Sequence, residues 1–417
     1  MEPKVTFDRT VLTVLNDATV NLLLELVAPP AVALERPPID VVCVIDKSGS
    51  MDGAPLEAVK AAVAHLLRLA GPDDRIGVVA FDDEVELVLA LDHHESDRAI
   101  ARVRAIESRG MTNLSGGWLK GIEMLEASAR TDALRRVIVL TDGQANRGET
   151  DPDRLAGIAG AARSHSVTTT AIGFGGDHDE RLLSVIADQG GGNDYWCAGA
   201  DNAPAIFNDE FEGLASVVAQ NVSVELRPSN GVLAMRVLNE FPVTDVPGGV
   251  QIALGDAYGS ERRRVVAELL LPVVRDAGPY PLGEIVVRWT TVGEGIELHN
   301  VTIPLGIGAS NDPDAPDPGA DPEVVEQVTI LKAAADRRAA LDALNRGDWD
   351  TAENLLESAA ELLEDTGIDR LMIDELRTDA RRASRRDWDA MTSKKHHAQS
   401  REYSKGRKNR YDELNPE

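Results

Sequence analysis

The sequence predicts a multidomain α/β + β + α protein. A doubly wound, mainly parallel sheet is inserted in a β-sandwich and followed by a helical C-terminal region. Three observations predict it. From Ile39 to Ala219, β-branched runs alternate with segments of helical spacing, the pattern of repeated βα units with helices on both faces of a sheet. After Gln220 the helices stop, and six apolar runs follow between Gly, Pro and Asp turns, the texture of a sandwich. Beyond a Pro/Asp-rich stretch, apolar residues return at helical spacing to near the C-terminus.

Residues 1–38 contain "KVTFDRTVLTVLNDATVNLLLELVAP". This is strand-like but too small to stand as a sheet alone, so it is expected to join the later strands. Pro29, Pro30, Pro37 and Pro38 mark the crossing into residues 39–219. There "IDVVCVID" reads as a strand buried on both faces, followed by the helix "APLEAVKAAVAHLLRLA" with Pro55 in its first turn. "RIGVVAFD" and "EVELVLAL" are strands joined by a turn at Asp82 and Asp83, expected to be exposed. "SDRAIARVRAIES" and "LSGGWLKGIEMLEASAR" are helices, and "LRRVIVLTDG" is a further buried strand. "DPDRLAGIAGAARSHS" is a helix with Asp151 as N-cap and Pro152 at its first position. The strand "VTTTAIGFG", the helix "DERLLSVIADQG", the strand "GNDYWCA" and the helix "NAPAIFNDEFEGLASVVAQ" complete this unit.

Residues 220–308 supply the remaining sandwich strands, and 309–323 a linker stiffened by proline. Residues 324–391 form an αα-hairpin around "NRGDWD" and a third helix from about Ile368 to Met391. The hairpin looks like a single tetratricopeptide-like unit. One such unit cannot bury its own face, so it should pack on the body, a second chain or a partner. Residues 392–417 read as a solvated basic tail, with docking on acidic surface as the alternative: Arg381 to Arg410 holds eleven Lys/Arg against three acids.

The 417 residues carry a formal charge of −27. That argues against nucleic acid or an anionic membrane as the main partner. No apolar run approaches the ~20 residues of a membrane span. Two cysteines, Cys43 and Cys197, make no disulfide framework. The N-terminus lacks the pattern of a secretory signal, so a cytoplasmic protein is expected.

Chemistry gathers at strand ends, where ligands bind in open parallel sheets. Asp46 ends "VVCVID" and begins D-x-S-x-S with Ser48 and Ser50; Asp142 ends "VIVLTDG"; Thr112 lies in the loop "SRGMTNLSGG" ahead of a helix. Two carboxylates and three hydroxyls, without His or Cys, suit a hard cation. Neutral hydroxyls leave such an ion net positive and open to a carboxylate from outside.

"VVCVIDKSGSM…GMTNL…VIVLTDG" resembles the von Willebrand factor type A (VWA) domain, whose matching positions form a metal-ion-dependent adhesion site. The resemblance covers about Ile39 to Ala219. It implies that Ser48, Ser50 and Thr112 give hydroxyl ligands and that Asp46 and Asp142 bind directly or through water. The ion implied is Mg²⁺, with Mn²⁺ or Ca²⁺ as alternatives. Met111 stands where a second glycine is common. The flanking strands are similar to those of bacterial proteins like the inter-alpha-trypsin inhibitor heavy chain.

The function expected is metal-dependent binding of a protein partner through its acidic residue, as a scaffold or adhesion-like module. A second partner at the C-terminal helices is the further expectation, with no membrane contact. The alternative is a regulatory adaptor of an AAA+ ATPase or chelatase-like complex. A Mg²⁺-dependent phosphoryl-transfer enzyme is a minor one. Against catalysis, the chain has no G-x-x-x-x-G-K-[ST] loop, no Asp-x-Asp after the first strand of the α/β unit, no dinucleotide fingerprint and no G-x-S-x-G elbow.

Overall fold

The computed structural model describes residues 1–14, 18–31, 37–128, 130, 132–176, 178–199, 202–291, 297–312, 320–368 and 370–405. Residues 313–319 of the expected linker and the last twelve residues of the expected tail lie outside these.

The chain starts with strands β1 (Glu2–Phe7), β2 (Val11–Thr13) and β3 (Ala18–Val27). It then enters an α/β unit. In order this comprises β4 (Ile39–Asp46), α1 (Ala54–Leu69), β5 (Arg75–Phe81), β6 (Val85–Asp92), α2 (Ser96–Arg104), α3 (Leu114–Glu126), β7 (Leu134–Thr141), α4 (Pro152–Ser164), β8 (Val167–Phe174), α5 (Glu180–Gln189), β9 (Gly191–Cys197) and α6 (Ala203–Ala215). The sheet order is β6-β5-β4-β7-β8-β9, with only β6 antiparallel. Every residue of β4 is buried, because helices cover both faces. Val41, Cys43 and Ile45 pack with α1, α2 and α6. Val42 and Val44 pack with α3, α4 and α5. The strand order turns about β4, with β5 on one side and β7 on the other, so their C-terminal ends open a crevice.

The sandwich continues with β10 (Val217–Pro228), β11 (Ala234–Val237), β12 (Val243–Val246), β13 (Gly249–Tyr258), β14 (Arg262–Leu271), β15 (Gly278–Thr291) and β16 (Glu297–Ser310). The short β12, paired with β13, has no counterpart in the sequence reading. Its residues are mostly exposed, so it carries little hydrophobic pattern. The first strands join this unit: one sheet runs β1-β3-β14-β11 and the other β12-β13-β10-β15-β16-β2. Leu22 and Leu24 of β3 share one core with Val224 and Leu226 of β10. The α/β unit is thus inserted in the sandwich.

Among the described residues four helices come last: α7 (Pro322–Asn345), α8 (Trp349–Thr366), α9 (Arg370–Ser384) and α10 (Ala390–Ser404). Leu23 of β3 and Val266 of β14 meet Val324, Val328 and Leu331 of α7. The hairpin therefore packs on the body, covering the outer face of a sandwich sheet.

Two expectations for this region need correction. The third helix does not run from Ile368 to Met391, and 392–405 is not a solvated tail. The chain breaks after α9, with Arg386 at a positive φ of 56°, and restarts as α10. Asp389 caps α10 by accepting from the Thr392 amide at 2.7 Å. Arg401 then donates to both oxygens of Asp188 and of Asp194, at 2.7 to 3.0 Å. Lys405 joins them, and Lys394 reaches Glu180 at 2.6 Å. Acids about two hundred residues away neutralise the basic run. Among the described residues no helix is long and apolar enough to cross a membrane.

Candidate metal centre

Three loops at the C-terminal ends of β4 and β7 and ahead of α3 carry the five candidate residues. Asp46, at the end of β4, is fully buried. Its Oδ1 accepts the Ser48 amide at 2.8 Å and its Oδ2 the Thr141 hydroxyl at 2.5 Å. The Ser48 and Ser50 hydroxyls lie 3.2 Å apart. Ser50 donates to Asp142 Oδ1 at 2.7 Å, joining chain positions 92 apart. Ser48, Thr112 and Asp142 are buried, whereas Ser50 is exposed, so the cluster opens outward at Ser50.

Gly143 locates Thr112 within the same cluster. A Cβ at position 143 would lie 3.1 Å from Thr112 Oγ1, 3.5 Å from Ser50 Oγ and 3.7 Å from Asp46 Oδ2. Oxygens from the first two loops thus crowd this glycine of the third, and a side chain there would intrude among them.

Backbone and side-chain bonds hold the Thr112 loop. The Thr112 amide donates to Asn146 Oδ1 at 3.0 Å, and the amides of Asn146 and Arg147 return bonds to Thr112 O at 3.2 Å. Asn113 caps α3 by accepting from the Gly116 amide at 3.1 Å. The Gly49 amide donates to Gly110 O at 3.2 Å, tying the first loop to the second.

Burial raises the Asp46 carboxyl to about 6; the hydrogen bonds from Thr141 and Ser48 oppose this, and Asp142 adds to it. Asp46 is thus an acid whose charged form gains from a nearby cation. The adjacent Lys47 does not supply it: its ammonium sits 3.2 Å from Asp82 and 3.2 Å from Glu86. Among the described residues no group of three or more His, Cys, Asp and Glu side chains is placed to hold a metal. A cation here therefore relies on the three hydroxyls as well as the two carboxylates. That all-oxygen set, grouped about an open glycine, fits a hard divalent ion.

The sequence reading missed the second tier. Thr141 and Asn146 orient Asp46 and Thr112, and hydrogen-bonding residues within or beside the strand-end segments were the available signal. Asp82 was expected to be exposed but is buried, only 2% accessible.

A model of the von Willebrand factor type A domain matches residues 40–216. The chain is 26% identical over 336 residues to an uncharacterized protein of Synechocystis sp., sll0103, covering 78% of each. It is 30% identical over 216 residues to inter-alpha-trypsin inhibitor heavy chain H3 of Mus musculus, covering 49% of this chain and 24% of that one. The chain thus spans about a quarter of the mouse protein. Among solved structures, a von Willebrand factor type A protein from Catenulispora acidiphila aligns with a TM-score of 0.71. It covers 90% of this chain and 89% of its own at 19% identity, a likeness of fold.

Proposed function

With residues 40–216 a von Willebrand factor type A domain, we propose that the chain is a divalent-metal-dependent protein-binding module that takes an acidic side chain of its partner. Asp46, Ser48, Ser50, Thr112 and Asp142 hold the ion, Mg²⁺ in this reading. The bound ion supplies a Lewis-acid position for a carboxylate oxygen of the partner.

One observation carries the reading: oxygens of Asp46, Ser50 and Thr112 face Gly143, and Ser50 bonds Asp142 beside it, so donors spread over nearly a hundred positions meet at one point. The chain's own residues do the rest. Thr141 and the Ser48 amide fix both oxygens of Asp46. Asn146 fixes the Thr112 backbone. Exposed Ser50 faces the approach of a partner. Asp46 is buried and engaged on both oxygens, an anchored acceptor and not a nucleophile aimed at solvent, which favours binding over phosphoryl transfer.

The test is affinity capture with wild type and Asp46→Ala, each in Mg²⁺ or EDTA. A partner lost in both perturbations supports the reading, with at least ~10-fold weaker binding, the range seen when even outer-shell metal contacts are lost. Partners that survive both overturn it.

A further inference from the structure

The turn between β5 and β6 touches all three ligand-bearing loops without carrying a ligand itself. Asp82 Oδ2 accepts Arg109 Nε at 2.8 Å and sits 3.2 Å from Lys47 Nζ. Lys47 lies between Asp46 and Ser48, and Arg109 begins the Thr112 loop. The same two residues also bond through the backbone, Arg109 N to Lys47 O at 2.8 Å. Asp82 O accepts the Asn113 amide at 3.0 Å, immediately after Thr112. Its Oδ1 takes the Glu84 amide at 2.8 Å, which fixes the turn.

Asp83 continues the contact outward. Its Oδ2 accepts the Met111 amide at 3.2 Å, and its Oδ1 lies 3.3 Å from Arg147 Nε in the loop that follows Asp142. Gly110, at φ +72°, passes so close that a Cβ there would lie 2.6 Å from Asp83 Oδ2. The carboxylate and the loop are therefore fitted to each other.

Asp82 bonds the first and second loops, and Asp83 the second and third. Asp82 does so through charge-assisted bonds, the stronger class; Asp83 does so through its bond from the Met111 amide and an exposed ion pair with Arg147, which is weaker. The Asp82–Lys47 pair is almost fully buried, with side-chain exposures of 3% and 4%. Removing Asp82 there leaves the buried Lys47 ammonium with only the exposed Glu86 carboxylate as counter-charge.

We propose that Asp82 and Asp83 are positioning residues that hold the three loops in register for the cation, so that the β5–β6 turn sets the metal affinity of the site. This rests on the metal-binding reading above. Three loop segments must be ordered before five oxygens can face one ion, and ordering them beforehand lowers the entropic cost of binding.

The probe is Mn²⁺ alone, titrated calorimetrically into the full chain as wild type, Asp82→Asn, Asp83→Ala and Asp83→Asn. Thermal melting and amide exchange in EDTA accompany each titration. Asp82→Asn is expected to weaken Mn²⁺ binding ~10-fold or more and Asp83→Ala by several-fold, by analogy with outer-shell losses. Asp83→Asn keeps an acceptor for the Met111 amide and should recover part of the loss, which a merely structural role would not do. Exchange at residues 109–113 should quicken in Asp82→Asn and Asp83→Ala, while both Asp83 variants melt as wild type. Asp83 is partly exposed, so its variants report even where Asp82→Asn misfolds. Variants that bind Mn²⁺ within twofold of wild type overturn the positioning role alone. A wild type that binds no Mn²⁺ overturns the metal reading, and this role with it.

Discussion

Gly143→Ala probes the centre with a single methyl group. Gly143 is not among the glycines with positive φ, so alanine adopts its backbone conformation without strain. The added Cβ would sit 3.1 Å from Thr112 Oγ1, tighter than ordinary van der Waals contact, and 3.5 and 3.7 Å from Ser50 Oγ and Asp46 Oδ2. Thr112 must then retreat by a few tenths of an ångström. Mg²⁺ needs its oxygens at about 2.1 Å in near-octahedral array, a tolerance that this shift exceeds. The expected loss is about tenfold in Mn²⁺ or Mg²⁺ affinity, equal to ~1.4 kcal/mol. Gly143→Val, with more bulk at the same point, should abolish binding. Stability should barely change for Ala, because the contact strain is offset by the smaller chain entropy of the unfolded state. The assay is calorimetric titration with the metal, paired with thermal melting in EDTA. An alanine variant that binds metal like wild type, at an unchanged melting temperature, would refute the argument that Gly143 marks the ion's place.

Two further outcomes concern the frame around the site. Burial, and next the nearby Lys394, push His178 down to about 4 from an ordinary 6.5. The unfolded chain then binds the proton more readily, so stability is full above pH 6.5 and falls as pH drops toward 4, by up to ~3 kcal/mol. Urea unfolding at pH 7 and pH 5 should show this slope, and His178→Phe should reduce it, the remainder coming from His397, which burial also pushes down to about 4, and from His396. Arg136 is buried between the α/β sheet and the sandwich, donating at 2.7 Å to Glu210 of α6 and at 2.7 Å to Asp256 of β13. Arg136→Met removes the cation that bonds both buried carboxylates, leaving Glu210 with the neutral donors Thr170, Asn193 and Tyr195, and should cost ~3–5 kcal/mol, measured by denaturant unfolding. A variant as stable as wild type would mean that the two units do not depend on this junction.

Much of the fold was readable because its causes are local. The run "IDVVCVID" is apolar at nearly every position, and that alone marks a strand covered on both faces. Asp151-Pro152 marks a helix start, and Asp151 indeed accepts from the amides of Asp153 and Arg154 at 3.0 and 3.1 Å. The donor residues of the site were legible for a similar reason: a strand that stops on Asp-x-Ser-x-Ser concentrates oxygens at one point. The β5–β6 turn was not legible. Two adjacent aspartates read as solvated charge; Asp83 is exposed as expected, but the return of Arg109 and Lys47 to the same place buries Asp82. The basic C-terminal stretch misled for the same reason. Its counter-charges, Asp188 and Asp194, belong to α5 and β9.

By itself, then, the sequence determined the alternation of strands and helices, the apolar faces, the caps, and the chemical type of the five oxygen donors. These follow from patterns within ten or twenty residues, where periodicity and side-chain chemistry act directly. The tertiary structure alone decided that β4 lies between β5 and β7, which brings Ser50 against Asp142, and that Gly143 keeps the space among the donors open. It also decided the burial of Asp82 and the docking of α10. Each of these depends on strand order or on ion pairs between distant segments, and burial, which sets their strength, exists only once those segments have packed.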